Sequence, residues 1–279
     1  MRAMSDVLKP KMHTATLIHK ELLGGGRLCI IRLRPDSGER WWYQAGQYTS
    51  LGLDTPEGFI VRAYSIAGSP LDPDLEFYIA LVENGKLTPT LFAQPLGATF
   101  RFLKPVGKFT LRAAAQPTVV MVATGTGLAP FVGHIRTLWK QYLAGLPVRQ
   151  RVILFHGAAY CDEFAYRAEL EGYAKERAKG FDFTYICSSS RPDAARGFTE
   201  ATAKGRVNEV VRYALGAPLP EGRVVALPAG VDRATLRGLI DPAHTAFMAC
   251  GNPGMIEDLK EPLAHLGVAS YLVEEFWKP

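Results

Sequence analysis

From residue 118 onward, short continuous apolar runs alternate with longer stretches whose apolar residues recur at helical spacing. The run 119–123 has no polar residue, as in a strand buried on both faces, and an apolar-periodic stretch follows it over 128–143. The same order recurs in the strand-like runs 151–155, 181–187 and 245–250 and in the helix-like stretches 162–179 and 253–266. Such alternation predicts an α/β fold, a parallel sheet covered by helices that binds ligands at the carboxyl ends of its strands.

The first half of the chain contains short β-rich runs separated by turn residues. The clearest runs are 28–33, 47–51, 59–66 and 75–82, which are bounded by glycine, proline and aspartate clusters. Strands at this spacing predict an antiparallel β-barrel or sandwich. One short helix is expected over 88–94, where Thr88 can act as the cap and Pro89 suits the first helical position.

The segment 113–117, Ala-Ala-Ala-Gln-Pro, has the composition of a linker. We therefore predict two domains, a β domain over 1–116 and an α/β domain over 117–279. A length of 279 residues allows about two domains of ordinary size, and 48% hydrophobic with 21% charged residues is a globular composition.

No apolar run approaches the roughly 20 residues that span a bilayer. The first residues lack the apolar segment of a secretory signal, so we expect a cytoplasmic protein without a membrane partner. We also expect the protein to be a monomer. The cysteines are Cys29, Cys161, Cys187 and Cys250. Their wide separation gives no pair spaced for zinc, an iron-sulfur cluster or a redox disulfide, and no metal site is expected.

The positive charge is concentrated in the first half. Residues 1–116 hold 14 basic and 10 acidic side chains, a net +4, whereas residues 117–279 hold 18 and 17, a net +1. This field can steer an acidic protein partner, although an ordinary solvated surface explains it equally well. The basic residues are scattered, which argues against nucleic acid as a ligand.

A glycine-containing turn, 124–130, follows the first strand of the predicted parallel sheet. Gly125 and Gly127 permit a tight turn and the close approach of a phosphate to backbone N–H groups at a helix start. The turn predicts a dinucleotide site, but Pro130 stands where the full fingerprint has its third glycine, and the next strand ends without an acidic residue. A plain tight turn is the alternative.

A serine and two arginines follow the third parallel strand. Ser190 and Arg191 end the run, and Arg206 lies further along. A hydroxyl and guanidinium groups suit a phosphate monoester, which favours NADP over NAD. The alternative is a polar loop with a solvated arginine.

Two further patterns carry candidate site residues. Arg62 and Tyr64 share one face of a strand by the two-residue period, and together with Ser65 they offer a phosphate ligand, a stacking ring and a hydroxyl. A core tyrosine beside a surface arginine is the simpler interpretation. Cys250 ends the last apolar run, and no His or Asn at a recognisable spacing makes it an acyl-transfer nucleophile.

Taken together, these segments resemble the bacterial ferredoxin (flavodoxin)-NADP reductases. The ordered motifs that carry the resemblance are 62–65 (RAYS), 73–78 (PDLEFY), 85–89 (GKLTP), 124–130 (TGTGLAP) and 250–253 (CGNP). The resemblance covers roughly residues 14–279. It implies an FAD-binding antiparallel β-barrel followed by a parallel-sheet α/β domain that binds NADP, and a ferredoxin or flavodoxin, an acidic electron carrier, as the partner.

The resemblance also implies roles for individual residues. Arg62 would bind the FAD phosphates beside Ala63, Tyr64 would stack on the isoalloxazine ring, and Ser65 would bond near its N5 nitrogen. The other residues implied in FAD binding are Tyr78, Ile79, Ala80, Lys86, Leu87 and Thr88. Those implied in NADP binding are Gly125, Thr126, Gly127, Ser190, Arg191 and Arg206, with Cys250 and Thr126 flanking the nicotinamide.

This chain departs from the family pattern at two places. Family members often have an arginine a few residues after the His-Gly of the second parallel strand, and the segment 156–160 has none. The carboxyl end also differs: Phe276 is expected to cover the flavin and Trp277 the adenine, or the reverse. The rival functions are the reductase component of an oxygenase, a free flavin reductase, and a flavin-binding sensor that does not react with NAD(P)H.

Overall fold

The structure, a computed structural model, describes residues 8–275. Its contacts divide the chain into two units. The first unit runs through Thr110 and also includes Ala129–Thr137, while Leu111–Leu128 and the residues from Leu138 onward form the second. The domain boundary at residue 117 stays a prediction.

The first unit contains one six-stranded sheet whose neighbouring strands pair antiparallel. Its strands are β1 His13–Leu23, β2 Leu28–Pro35, β3 Tyr48–Thr55, β4 Gly58–Ser65, β5 Leu75–Ala80 and β6 Thr99–Phe102. They lie in the order β4-β3-β6-β1-β2-β5. One short helix, α1 (Thr88–Ala93), follows β5 along the chain.

The two edge strands of this sheet meet and close it. Ile66, directly after β4, forms an antiparallel bridge with Phe77 of β5, and the Ala67 N–H donates to the Glu76 carbonyl over 2.8 Å. Closure removes exposed strand edges. Alternate residues of β5, such as Phe77 and Ile79, join the buried core of the unit. The predicted antiparallel barrel is confirmed.

The second unit contains a six-stranded sheet in which all pairs are parallel. Its strands are β7 Thr118–Thr124, β8 Arg151–Ala158, β9 Phe183–Ser189, β10 Ala203–Lys204, β11 Thr245–Gly251 and β12 Ser270–Glu275. The order is β10-β9-β8-β7-β11-β12, so the direction of winding reverses between β7 and β11. In open α/β sheets ligands bind at such a reversal, outside the carboxyl ends of the strands.

Helices connect the strands of this sheet. They are α2 Ala129–Leu143 (divided between the two units), α3 Arg167–Lys175, α4 Val207–Leu215, α5 Arg233–Gly238 and α6 Pro253–His265. Residues of α4, α5 and α6 pack against the central strands in one buried cluster. The predicted α/β class is therefore confirmed. No helix of the described residues is long and apolar enough to cross a membrane.

Two local predictions are wrong. The helix expected over 162–179 is broken, because Tyr166 has a φ of 60° immediately before α3 and a 3₁₀ turn, Glu176–Lys179, ends the stretch. Thr88 does not cap α1, since its hydroxyl accepts from the Val82 N–H at 2.9 Å and can donate to the Val82 carbonyl at 3.1 Å. Helix α1 therefore starts at Thr88 itself, and Leu87 is the N-cap residue.

Candidate functional site

The turn after β7 makes a close backbone approach to the end of β11. Residues Gly125–Leu128 form a 3₁₀ turn. A Cβ atom on Gly127 would lie 2.3 Å from the carbonyl oxygen of Cys250. Only glycine fits at that separation, so the glycine of the predicted nucleotide turn is required by packing inside the second unit.

The turn after β11 completes the contact from the other side. Gly251 has a φ of 127°, and a Cβ there would lie 2.2 Å from the Thr124 hydroxyl. That hydroxyl accepts from the Asn252 N–H at 2.7 Å, while the Asn252 side chain accepts from Met255 N–H at 3.2 Å and caps α6. Two glycine turns thus abut at the reversal of the sheet, beside a capped helix start of the kind that binds anions.

Cys250, the residue before Gly251 in β11, borders these two turns and is fully buried. Burial raises the pKa of its thiol well above the usual value, and the negative charge of Glu274 raises it further. The thiol therefore stays protonated at neutral pH and is a poor nucleophile. Thr126, half-buried in the adjoining turn, is the other residue expected beside the nicotinamide.

Arg191 and Arg206 both follow strands at the carboxyl edge of the parallel sheet. The Ser190 and Arg191 N–H groups donate to the carbonyls of Ala158 and Ala159, at 3.1 and 3.0 Å, which fixes the chain after β9. Arg206 precedes α4, and its N–H donates to the Glu209 carboxylate at 3.1 Å. Pairing of Ala203 with Ser188 aligns β10 with β9, so both arginines leave the sheet at the same edge.

The guanidinium groups of Arg191 and Arg206 are exposed. Within residues 8–275, neither is paired with a carboxylate. Two exposed cations at one edge of the sheet, with Ser190 directly before Arg191 in the chain, are donors suited to a phosphate monoester.

Tyr160, which follows β8, also lies at this edge and was not predicted from the sequence. Its ring centroid lies 5.9 Å from the guanidinium carbon of Arg191 and 3.5 Å from that of Arg196. Tyr160 belongs to the loop after β8, whereas Arg191 and Arg196 both belong to the loop between β9 and β10. No spacing in the sequence indicates that the two loops meet.

In the first unit, β4 presents the predicted flavin-binding residues. Arg62 and Ala63 are exposed, and the Arg62 guanidinium donates to the Val61 carbonyl at 2.8 Å without a carboxylate partner among residues 8–275. The Tyr64 ring packs against the barrel core. Its burial raises the pKa of the phenol to about 12, although the Arg62 charge opposes the rise.

The closure of the barrel brings together residues of the two edge strands, β4 and β5. Ser65 and Tyr78 flank the Ile66–Phe77 bridge, and both are buried. Ile79 points into the barrel core, while Ala80 is half-buried. Of the three β5 candidates, Ile79 thus offers only its backbone to a ligand.

The segment before α1 carries the remaining candidates. Lys86 is exposed and lies 3.2 Å from the carboxylate of Glu57, which is also exposed. Leu87 is buried in the core. Helix α1 starts at Thr88, where the first N–H groups of a helix have no intrahelical acceptor. Phe276 and Trp277 lie outside the described residues.

Comparison with known proteins connects both units to one family. The pattern of the oxidoreductase FAD-binding domain matches residues 16–111, and that of the oxidoreductase NAD-binding domain matches residues 121–261. A flavodoxin/ferredoxin–NADP reductase of Escherichia coli is 31% identical over 219 residues, which are 77% of each chain. The reductase component of naphthalene dioxygenase and salicylate hydroxylase systems of a Ralstonia species is 30% identical over 240 residues, 86% of this chain and 61% of its own.

A solved structure shares the same fold. The ferredoxin NADP⁺ reductase of Neisseria gonorrhoeae, crystallised with FAD and NADP, superposes with a TM-score of 0.72 at 20% identity and covers 96% of this chain and 99% of its own.

The chain is thus an oxidoreductase with an FAD-binding and an NAD-binding domain. It belongs to the flavodoxin/ferredoxin–NADP reductase family.

Proposed function

We propose that this protein exchanges a hydride between NADP(H) and bound FAD, and single electrons between FAD and a ferredoxin or flavodoxin. The observation that supports the NADP side most strongly is the pair of arginines, Arg191 and Arg206, exposed at the carboxyl edge of the parallel sheet without carboxylate partners among the described residues. A 2′-phosphate is the group of NADP that such cations recognise.

The residues of the first unit fit FAD. Arg62 offers a guanidinium that no described carboxylate neutralises, as a pyrophosphate ligand requires. Tyr64 and the buried Ser65 follow it on the same strand. The start of α1 adds backbone N–H donors behind Lys86. In this proposal Arg62 and the 86–88 segment hold the phosphates, and Tyr64 and Ser65 hold the ring.

When bound, FAD supplies the conversion between two-electron hydride chemistry and one-electron transfer. The contribution of the chain is position and exclusion of water. Gly127 and Gly251 let the two turns at the sheet reversal approach closely, which leaves Thr126 and Cys250 to flank the nicotinamide. The protonated thiol of Cys250 packs beside the nicotinamide and transfers no proton.

The net +4 of residues 1–116 supports an acidic electron carrier as the partner. The reductase component of an oxygenase is the second candidate, because the Ralstonia relative carries that name. The monomeric state and a cytoplasmic location stay predictions.

The proposal is tested by measuring NADPH oxidation with a purified ferredoxin, a flavodoxin or free FMN as the acceptor. We expect turnover with a ferredoxin or flavodoxin to exceed turnover with free flavin, and to fall as salt is raised because the attraction between surface charges is screened. Activity with free flavin alone would identify a flavin reductase instead. A carrier reduced equally well at high salt would remove the electrostatic argument for an acidic partner.

A further inference from the structure

The ring of Tyr160 is held in place by an arginine from a distant loop. The guanidinium carbon of Arg196 lies 3.5 Å from the ring centroid, which is the closest cation–ring distance among the described residues. An arginine stacked on an aromatic ring interacts through both charge and planar contact. Arg196 therefore fixes the orientation of the ring at the end of β8.

Arg196 is itself held by two carboxylates. Its Nε and Nη2 atoms donate to Asp162 at 3.1 and 2.8 Å, and Nη2 also lies 3.4 Å from Glu163. The loop that carries it is ordered locally, since the Asp193 side chain accepts from the Ala195 N–H at 3.0 Å. The charge of Arg196 is thus already neutralised by its partners, and its fork of donors is occupied.

Arg191 is in the opposite situation. It reaches Tyr160 with its guanidinium carbon 5.9 Å from the ring centroid, and it has no carboxylate partner among residues 8–275. Hydrogen bonding from Arg191, together with the positive charges of Arg191 and Arg196, lowers the pKa of the Tyr160 phenol. The Tyr160 ring therefore lies beside the guanidinium of Arg191, the cation that an incoming phosphate would contact.

We propose that Tyr160 is a specificity-determining residue that donates its hydroxyl to the 2′-phosphate of NADP beside Arg191, and that Arg196 is the positioning residue that orients it. This inference rests on the proposed function. It explains how the site works without an arginine between His156 and Tyr160. The hydrogen-bond donor missing there is replaced by a phenol hydroxyl, and Arg196 from the loop after β9 supports the phenol ring.

The test is calorimetric binding of adenosine 2′,5′-bisphosphate and of adenosine 5′-monophosphate to the flavin-loaded protein. The ratio of the two affinities is the readout, because partial unfolding lowers both affinities whereas loss of a 2′-phosphate contact lowers only the first. We expect Tyr160→Phe, which keeps the ring, to weaken bisphosphate binding roughly tenfold, as for one hydrogen bond to a charged group. Monophosphate binding stays unchanged.

Arg196→Gln is the second variant, and Arg233→Gln is its matched control. Arg233 stacks on Tyr213 in the same unit, with 4.6 Å from its guanidinium carbon to the ring centroid. We expect Arg196→Gln to reduce the bisphosphate affinity as Tyr160→Phe does, the double variant to lose no more than either single one, and Arg233→Gln to change nothing. Such non-additivity is the mark of two residues that act through one contact.

Arg191→Ala separates failure of this inference from failure of the proposed function. If Arg191→Ala weakens bisphosphate binding but Tyr160→Phe and Arg196→Gln leave the affinity ratio unchanged, Tyr160 has no role in specificity and the inference is wrong. If Arg191→Ala also leaves the ratio unchanged, the 2′-phosphate does not bind at this edge and the proposed NADP site is wrong. Additive losses in the double variant would contradict the positioning role of Arg196.

Discussion

At the scale of single residues, the exposed guanidinium of Arg191 is the group most important for the preference for NADPH. We expect Arg191→Ala to raise the KM for NADPH roughly ten- to a hundredfold, since a charge-assisted hydrogen bond contributes about 1.5–3 kcal/mol. The KM for NADH, which lacks the 2′-phosphate, should stay unchanged.

Arg149→Ala is the matched control for this kinetic comparison. Arg149 is also exposed and without a carboxylate partner among the described residues, but it precedes β8 and so lies at the opposite, amino edge of the sheet. Its removal should leave both KM values unchanged. An equal rise of the KM for NADPH and the KM for NADH in Arg191→Ala would show that Arg191 does not bind the 2′-phosphate.

Two buried histidines determine part of the response to acid. His134 and His156 have no exposed surface. Burial lowers the pKa of His134 to about 4 and that of His156 to about 3. The Nδ1 atom of His156 lies 3.0 Å from the Tyr185 hydroxyl, a contact compatible with a neutral ring.

Because the pKa values of both histidines are lowered in the folded protein, acid reduces the free energy of unfolding. In the unfolded chain each histidine takes up a proton below its ordinary pKa of about 6.5, while the folded protein keeps the ring neutral down to pH about 4 or 3. The stability is therefore complete above pH about 6.5 and decreases as pH falls toward the folded pKa values. Each histidine adds a slope of about 1.4 kcal/mol per pH unit.

We expect His156→Gln to reduce the slope of unfolding free energy against pH by that amount. Urea unfolding at several pH values in this window measures it. The exposed His265, whose Nδ1 lies 3.0 Å from the Glu261 carbonyl, serves as the control. If His156→Gln keeps the parental slope, burial does not hold His156 neutral in the folded protein.

At the scale of elements, a buried carboxylate connects two strands of the barrel with the first part of α2. Glu76 of β5, whose side chain is 5% exposed, lies 2.9 Å from Nη2 of Arg32 on β2 and 2.5 Å from Nη1 of Arg136 on α2. Arg136 is 15% exposed, so its ion pair with Glu76 lies largely out of water. All three residues belong to the first unit.

We expect Glu76→Ala to lower the free energy of unfolding by about 3–5 kcal/mol, because it removes a buried carboxylate that pairs with both Arg32 and Arg136. Glu257→Ala removes an exposed partner of Lys260 and should cost less than about 1 kcal/mol. Denaturant unfolding of the two variants gives both numbers. A loss in Glu76→Ala as small as that in Glu257→Ala would mean that the buried ion pairs of Glu76 add little to stability.

The elements that the sequence predicted well are those with one clear period. The apolar run at β7 and the helix after it needed no tertiary information, because both faces of a central parallel strand are buried. Strand β1 was missed, since a register shift between Leu17 and His19 interrupts its alternation. Helix α4 was also missed, although Glu209 at its third position and Gly216 after its end are recognisable signals.

The grouping of two arginines in the candidate site could also be predicted from the sequence. Residues that follow parallel strands must meet at one edge of the sheet, so Arg191 and Arg206 could be grouped from the sequence. The stack of Arg196 on Tyr160 could not, because it joins two loops whose conformations depend on the Asp162 and Asp193 side chains. The roles given to Phe276 and Trp277 fall outside the described residues and stay predictions.

At the scale of the whole molecule, the chain has an FAD-binding and an NAD-binding domain, and we propose that it exchanges electrons between NADPH and FAD. A flavin-binding sensor would need the first domain but no reaction with the nucleotide. Reduction of the bound flavin separates the two functions.

The most direct measurement is anaerobic reduction of the purified protein, followed by flavin absorbance in a stopped-flow instrument, with the released cofactor identified by chromatography. We expect the cofactor to be FAD and its absorbance to be bleached faster by NADPH than by NADH. We also expect Arg191→Ala to remove most of the difference between the two nucleotides, as the proposed function requires. A bound flavin that neither nucleotide bleaches, or a released cofactor that is FMN, would contradict it.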